Sequence, residues 1–349
     1  DATFANDSWQ MSVMSYFDQR ENTSTTASYA YATTPMMADI VAIQTLYGAP
    51  DGNSVTAGDT TYGAGAQLGT YLDAVFAWLV HGETPDGIAG NAVAFTLYDQ
   101  GGTDTLDLSG MTDGARLDLQ AASFSDFGDR IGVMGIARGT TIEHAILGSG
   151  NDRVTGNDAN NIIRLGDGDD HVYAQLGDDQ IFGGTGFDTI EGGAGNDRLF
   201  GQDGADSLFG GAGADLLDGG DGFDQIIAGL GNDTVFAGAA ADRVYGGDGD
   251  DWISGGANLG LTFDGLWGEG GNDTIVGDGG FDMHDGGDGN DLLDGGHQAD
   301  NLYGRDGNDT LRGDLGLDRL FGGNDDDLAQ GGAGNDGLFG EAGNDTLYG

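Results

Sequence analysis

Gly192-Gly193-Ala194-Gly195-Asn196-Asp197-Arg198-Leu199-Phe200 is one of twenty-two consecutive nonapeptides that fill the chain from Gly148 to Gly349. Nearly all are variants of Gly-Gly-x-Gly-x-Asp-x-apolar-x. Nine-residue steps from Asp152 reach Asn161, Asp170, Asp179, Asp188, Asp197, Asp206, Asp215, Asp224, Asp233, Asp242 and Asp251. A four-residue insertion around Leu259 moves the next sixth position to Asp264. The register then resumes through Asp273, Asp282, Asp291, Asp300, Asp309, Asp318, Asp327, Asp336 and Asp345. Only Asn161 lacks the carboxylate.

Glycine takes φ > 0 at almost no steric cost, so the backbone can curl tightly and turn its carbonyls inward. Inward carbonyls and an Asp carboxylate make a cage of hard oxygens, which suits Ca²⁺ and its six to eight oxygen ligands. Two residues beyond each Asp stands an apolar side chain, from Val154, Ile163 and Val172 to Leu338 and Leu347. One inward residue per short strand cannot bury itself alone, so neighbouring repeats must stack into a solenoid. The slot holds His284 between Leu266 and Leu302, where a satisfied interior histidine beside Asp285 is expected, and Ala329 is a second small gap. Ser207 and Ser254 read as exposed roll positions.

All sixth positions are expected calcium ligands except Asn161, Asp242, Asp300 and Asp327. In the last three turns Ala240, Gln298 and Asp325 replace the fourth-position glycine, and a side chain at positive φ costs about 1 kcal/mol or more.

A formal charge of −48 on 349 residues opposes compaction unless cations offset it. It also argues against nucleic acid, acidic membranes and phosphate as partners. Cysteine is absent, so calcium and not disulfide would staple the fold. The most apolar run, within Leu72 to Val80, is far shorter than the ~20 residues a membrane helix needs, so no transmembrane segment is expected. No basic region followed by an apolar stretch opens the chain at Asp1.

Residues 1 to 147 differ in texture. Ser12-Val13-Met14-Ser15-Tyr16-Phe17 reads as a tight turn, and Pro35 to Gly48 as an amphipathic helix with Ile40, Ile43, Leu46 and Tyr47 on its core face. The stretch Tyr71 to Leu79 reads as helix or buried strand. The expected domains are 1–50, a connecting β region over 51–147, and the repeat array over 148–349.

The array resembles the calcium-binding RTX repeat, which implies a right-handed parallel β-roll with two repeats per turn and a calcium between successive turns on each side. Eleven layers at roughly 4.8 Å each would make a rod of about 50 Å. The whole chain resembles the end of a serralysin-type metalloprotease, with Met14 and Tyr16 in a Met-turn. Landmarks follow in order at Gly58-Asp59-Thr60-Thr61-Tyr62-Gly63, Asp99-Gln100-Gly101-Gly102-Thr103-Asp104 and Thr141-Ile142-Glu143-His144. The fold class implied is mainly β: the roll, a β-rich connecting region before it, and a short helical remnant of a metzincin catalytic domain.

That resemblance implies calcium ligands at Gly58, Thr60, Asp99, Gly101, Gly102, Asp104, Thr141 and Glu143. It makes Met14 a hydrophobic floor under zinc and Tyr16 a movable zinc ligand. The family's His-Glu-x-x-His helix is absent, since His81, His144, His171, His284 and His297 include no pair four apart. The chain therefore reads as the C-terminal region of a secreted, extracellular zinc endopeptidase, inactive alone, exported by a type I system and folded by calcium. Its expected partners are calcium, the missing protease half and, for the parent, protein substrates. A further piece beyond Gly349 is also expected. The alternative is a non-enzymatic RTX adhesin, surface-layer or scaffold module.

Overall fold

The computed structural model describes residues 30–32, 58–64, 71–81, 92–99, 101–256 and 263–349. Met14, Tyr16 and the helix expected from Pro35 lie outside them. The fold is mainly β with parallel coils, as the repeat requires, and contacts divide the chain into two compact units, Asp1–Val172 and Tyr173–Gly349.

In the first unit Thr61–Gly63, Thr105–Asp107, His144–Ile146 and Ile162–Asp167 pair in parallel in that order. A second layer joins Ala30–Ala32, Ala92–Leu97 and Arg130–Ile136 in parallel, turns antiparallel through Phe124–Phe127 and Ala115–Asp118, and ends parallel on Arg153–Thr155. Between helix and strand, Tyr71–His81 resolves as helix, α1. Val75, Phe76, Leu79 and Val80 share one buried stripe of it, the spacing of a 3.6-residue period. Phe76 meets Phe95 edge-on at 5.3 Å, and Arg130 lies over the Trp78 ring at 4.3 Å.

In the second unit each strand pairs in parallel with a strand one coil on, so one coil takes two nonapeptides. Leu199 faces Leu217, and Leu208 faces Ile226. Across the insertion the offset grows from 18 to 22 residues, and Val244 pairs with Leu266. Two positions of each repeat point inward, the apolar eighth and the first of the next repeat. Ile181, Leu217, Ile226, Leu293 and Leu320 are all 0 % exposed. Leu338 is half-buried and Leu347 is 45 % exposed, so the inward stack is complete only up to the last coil. Outside, rings stack coil on coil, as in Tyr303, Phe321 and Phe339.

Candidate metal centre

The turn geometry follows from glycine. Gly211 and Gly213, second and fourth in their repeat, have φ of 112° and 139°. A Cβ on Gly213 would stand 1.8 Å from the carbonyl oxygen of Gly195 in the preceding coil. Ala240, Gln298 and Asp325 adopt the left-handed conformation too, at 92°, 82° and 76°. The sequence reading missed that the second position does the same with Gln175, Gln202, Glu269, Asp278, Arg305, Asp314 and Glu341. Their spacing, four residues before a sixth-position Asp, was the available signal.

The turns hold the carboxylates in two ladders. Asp197 donates its N–H to Asp215 Oδ1 at 2.8 Å, Asp215 to Asp233, and Asp233 to Asp251. A second series runs from Asp188 through Asp206, Asp224, Asp242, Asp264, Asp282, Asp300 and Asp318 to Asp336. In the first unit Ala115 donates to Asp152 and Asp152 to Asp170. Asp309 donates to Asp327, and Asp327 to Asp345.

Each of these Oδ1 atoms is thus bonded. Oδ2 is buried without a hydrogen bond at every sixth-position Asp from Asp170 to Asp327 except Asp264. Asp242, Asp300 and Asp327 share this geometry. A Cβ on Gly183 would lie 2.4 Å from Asp188 Oδ2 and 2.7 Å from the Gly201 carbonyl oxygen. One on Gly210 would lie 2.5 Å from both Asp215 Oδ2 and the Ala228 oxygen. Acceptor faces acceptor across a space that first-position glycine keeps open. Such a pair calls for a cation or a water donor, and an all-oxygen set fits a hard cation such as Ca²⁺. Ala174, Ala228 and Ala237 fill the first position before Asp179, Asp233 and Asp242.

Burial of these groups has an electrostatic cost. It pushes the Asp215 carboxyl up to about 7, against the lowering Asp197 N–H, with Asp197 and Asp233 adding repulsion. Burial likewise raises Asp251 and Asp309 to about 7, and Asp242 and Asp300 to about 8. No three His, Asp or Glu side chains converge on one point among the described residues, so backbone oxygens must supply much of any coordination.

A second acidic cluster lies in the first unit. Thr60 N–H donates to Asp104 Oδ1 and Asp104 N–H to Glu143 Oε2, both at 2.8 Å, repeating the ladder bond across 44 and 39 residues. Asp104 Oδ2 is buried and unbonded. Burial raises the Asp104 carboxyl to about 7, with Asp99 and Glu143 adding to it against the lowering Thr60 N–H. Tyr62 donates its hydroxyl to Asp99 Oδ2 at 2.5 Å, and Asp99 Oδ1 accepts Gly101 N–H. Thr60 Oγ1 donates to the Gly58 oxygen, and a Cβ on Gly102 would stand 2.4 Å from the Gly58 carbonyl carbon. Seven of the eight expected residues therefore meet. Thr141 is exposed, and no hydrogen bond among the described residues joins it to them.

Asn161 follows Glu143 in the same column and departs from the pattern. Its Oδ1 accepts Asn157 N–H, and its Nδ2 donates to the Glu143 oxygen and to Asn157 Oδ1. An amide carries its own donor, so no orphan acceptor arises there.

Two expectations need correction. His284 is 0 % exposed, yet neither ring nitrogen has a hydrogen bond. Asp285, its neighbour in the strand, points to the opposite face and pairs with Arg305 at 2.5 Å. Ser254 is buried rather than exposed and donates to Asp278 Oδ2 at 2.7 Å.

Residues 86–348 match the family model described as peptidase M10 serralysin C terminal. Metallopeptidase AprA of Pseudomonas marginalis is 40% identical over 168 residues, 47% of this chain and 32% of the relative. Serralysin of Photorhabdus luminescens is 42% identical over 163 residues, 47% of this chain and 31% of its own. Serralysin B of Dickeya chrysanthemi is 43% identical over 152 residues, 43% and 28% of the two chains. The match spans about a third of the length of these relatives.

Proposed function

The chain belongs to the serralysin C-terminal family of the M10 peptidases, and from that premise we propose that it is the calcium-loaded β-roll region of a secreted zinc endopeptidase. The observation that carries the reading is the file of buried, unbonded Oδ2 atoms facing carbonyl oxygens from coil to coil. The occupants proposed are calcium ions at the sixth-position carboxylates and at the Asp99, Asp104 and Glu143 cluster.

Each carboxylate has one oxygen tied to the preceding coil, which fixes the other toward the gap. Cations there would offset the repulsion between carboxylates, about 3 kcal/mol for a pair 5 Å apart at an effective dielectric near 20. Binding energy then becomes folding energy. Extracellular calcium modules bind at about 10⁻⁴ to 10⁻³ M, so a calcium-poor cell interior would keep the roll unfolded for export and the outside would fold it. A zinc held mainly by a protease half would supply an activated water for peptide-bond hydrolysis, and Tyr16 as a ligand and Met14 as an apolar floor would be the residues of this chain that help to hold it.

A calcium titration of the full chain followed by circular dichroism tests this. The expected result is a cooperative gain of β signal at millimolar or lower calcium, with magnesium ineffective. Full β content in excess chelator would falsify the reading.

A further inference from the structure

One coil of the roll breaks the all-oxygen rule. At Gly255 the eighth residue places an aliphatic group beside the carboxylate gap: Leu266 Cδ1 lies 3.3 Å from the point where a Cβ on Gly255 would stand, and Asp264 Oδ2 lies 2.8 Å from that point. Two repeats later the same construction on Gly277 meets three polar atoms. They are the Gly295 carbonyl oxygen at 2.6 Å, Asp282 Oδ2 at 2.8 Å and His284 Nε2 at 2.8 Å. Asp282 Oδ2 and both His284 nitrogens are buried without hydrogen-bond partners.

The imidazole stacks between Leu266 and Leu302 in the strand register, so its slot is apolar on both sides along the column. An unpartnered ring nitrogen in such a slot carries an uncompensated desolvation cost, which a leucine would avoid. The cost is recovered if the ring is a ligand. Nitrogen is a poor ligand for calcium, whereas a set of one imidazole, one carboxylate and one carbonyl suits a borderline first-row ion.

We propose that the coil carrying Asp282 and His284 binds a transition-metal ion of the zinc and cobalt class, through His284 Nε2, Asp282 Oδ2 and the Gly295 carbonyl. Because the ring is fully buried, the ion is taken up as the coil closes and not afterwards. This site is separate from any zinc of a protease half, and at Asp282 it takes the place of the calcium proposed at the other sixth-position carboxylates.

The test folds the full chain in calcium with about two equivalents of Co²⁺, then dialyses it against calcium buffer. About one Co²⁺ per chain should remain, by elemental analysis and visible d–d absorption, in the native chain and in His297→Ala, which lacks an exposed histidine. His284→Leu should fold, since leucine fills that slot in both neighbouring coils, and should lose that equivalent; His284→Gln should lose it too. Loss of cobalt by the native chain, or equal retention by the His284 variants, overturns the proposal. If neither variant folds, X-ray absorption of the zinc-loaded native chain decides, and absence of imidazole scattering overturns it.

Discussion

Phe76, Phe95, Phe127, Met134 and Ile136 are packed out of water in the first unit, whereas a coil of the second buries one aliphatic side chain per strand and, beside it, an aspartate. Both units build parallel layers. The first draws on apolar area, with roughly 1.5–3 kcal/mol for each large side chain fully buried. In the second, a leucine's gain is matched by the repulsion of stacked carboxylates, about 3 kcal/mol for a pair 5 Å apart. Two terms of equal size and opposite sign would leave the outcome to a third, the proposed counter-ion. The same strand pairing would then be self-sufficient in one region and conditional in another.

Removing calcium should separate the units most sharply. In excess chelator, amides of Leu217, Ile226 and Val235 should lose hydrogen-exchange protection by orders of magnitude. Those of Phe95, Met134 and Ile136 should keep most of theirs. Equal loss in both units would mean that the two regions depend on calcium alike.

Proton concentration should have the next largest effect, and only without calcium. Burial raises several sixth-position carboxyls of the metal-free fold, to about 6 at Asp224 and about 8 at Asp300, above the ordinary carboxylate value of 3.8. A raised folded-state value means stability that is fully present below the unfolded value near 3.8 and is lost as pH rises through 6 to 8. Acid should therefore partly replace calcium. In chelator, β content should be higher at pH 5.5 than at pH 8, and calcium uptake near pH 6.5 should release protons, measurable by titration in two buffers of different ionisation enthalpy. A metal-free signal that is flat, or that rises with pH, would remove burial of the carboxylates as the cause.

How much of this was legible from residues alone differs between the regions for a physical reason. In the roll every rung outside the insertion is 18 residues from the next, so the period exposes the ladder, the core position and the turn together. In the first unit the same rung joins Thr60 to Asp104 and Asp104 to Glu143 over irregular separations, and only resemblance to a family pointed to those residues. Tyr71 to Leu79 was ambiguous because a short apolar run suits a helix or a buried strand equally. His284 was misread by sequence adjacency, since consecutive strand residues face opposite sides and Asp285 could not reach it.

The smallest effect lies within the roll, between an open gap and a partly filled one. Asp215 faces the space over Gly210, and its turn carries glycine at every special position. Asp242 follows Ala237 at the first position and Ala240 at the fourth, the latter held at φ 92°. Burial raises its carboxyl to about 8, so in the metal-free fold near neutrality it is largely protonated and resembles an asparagine already. Asp215→Asn removes a carboxylate from an open gap and should raise the calcium midpoint severalfold, a loss of about 1–3 kcal/mol for a hydrogen-bonded charged ligand. Asp242→Asn should move the midpoint less than twofold. Since both residues make the same 2.8 Å ladder bond, equal shifts would mean that the N–H contact, and not the room left over the first glycine, decides how strongly a coil depends on its ion.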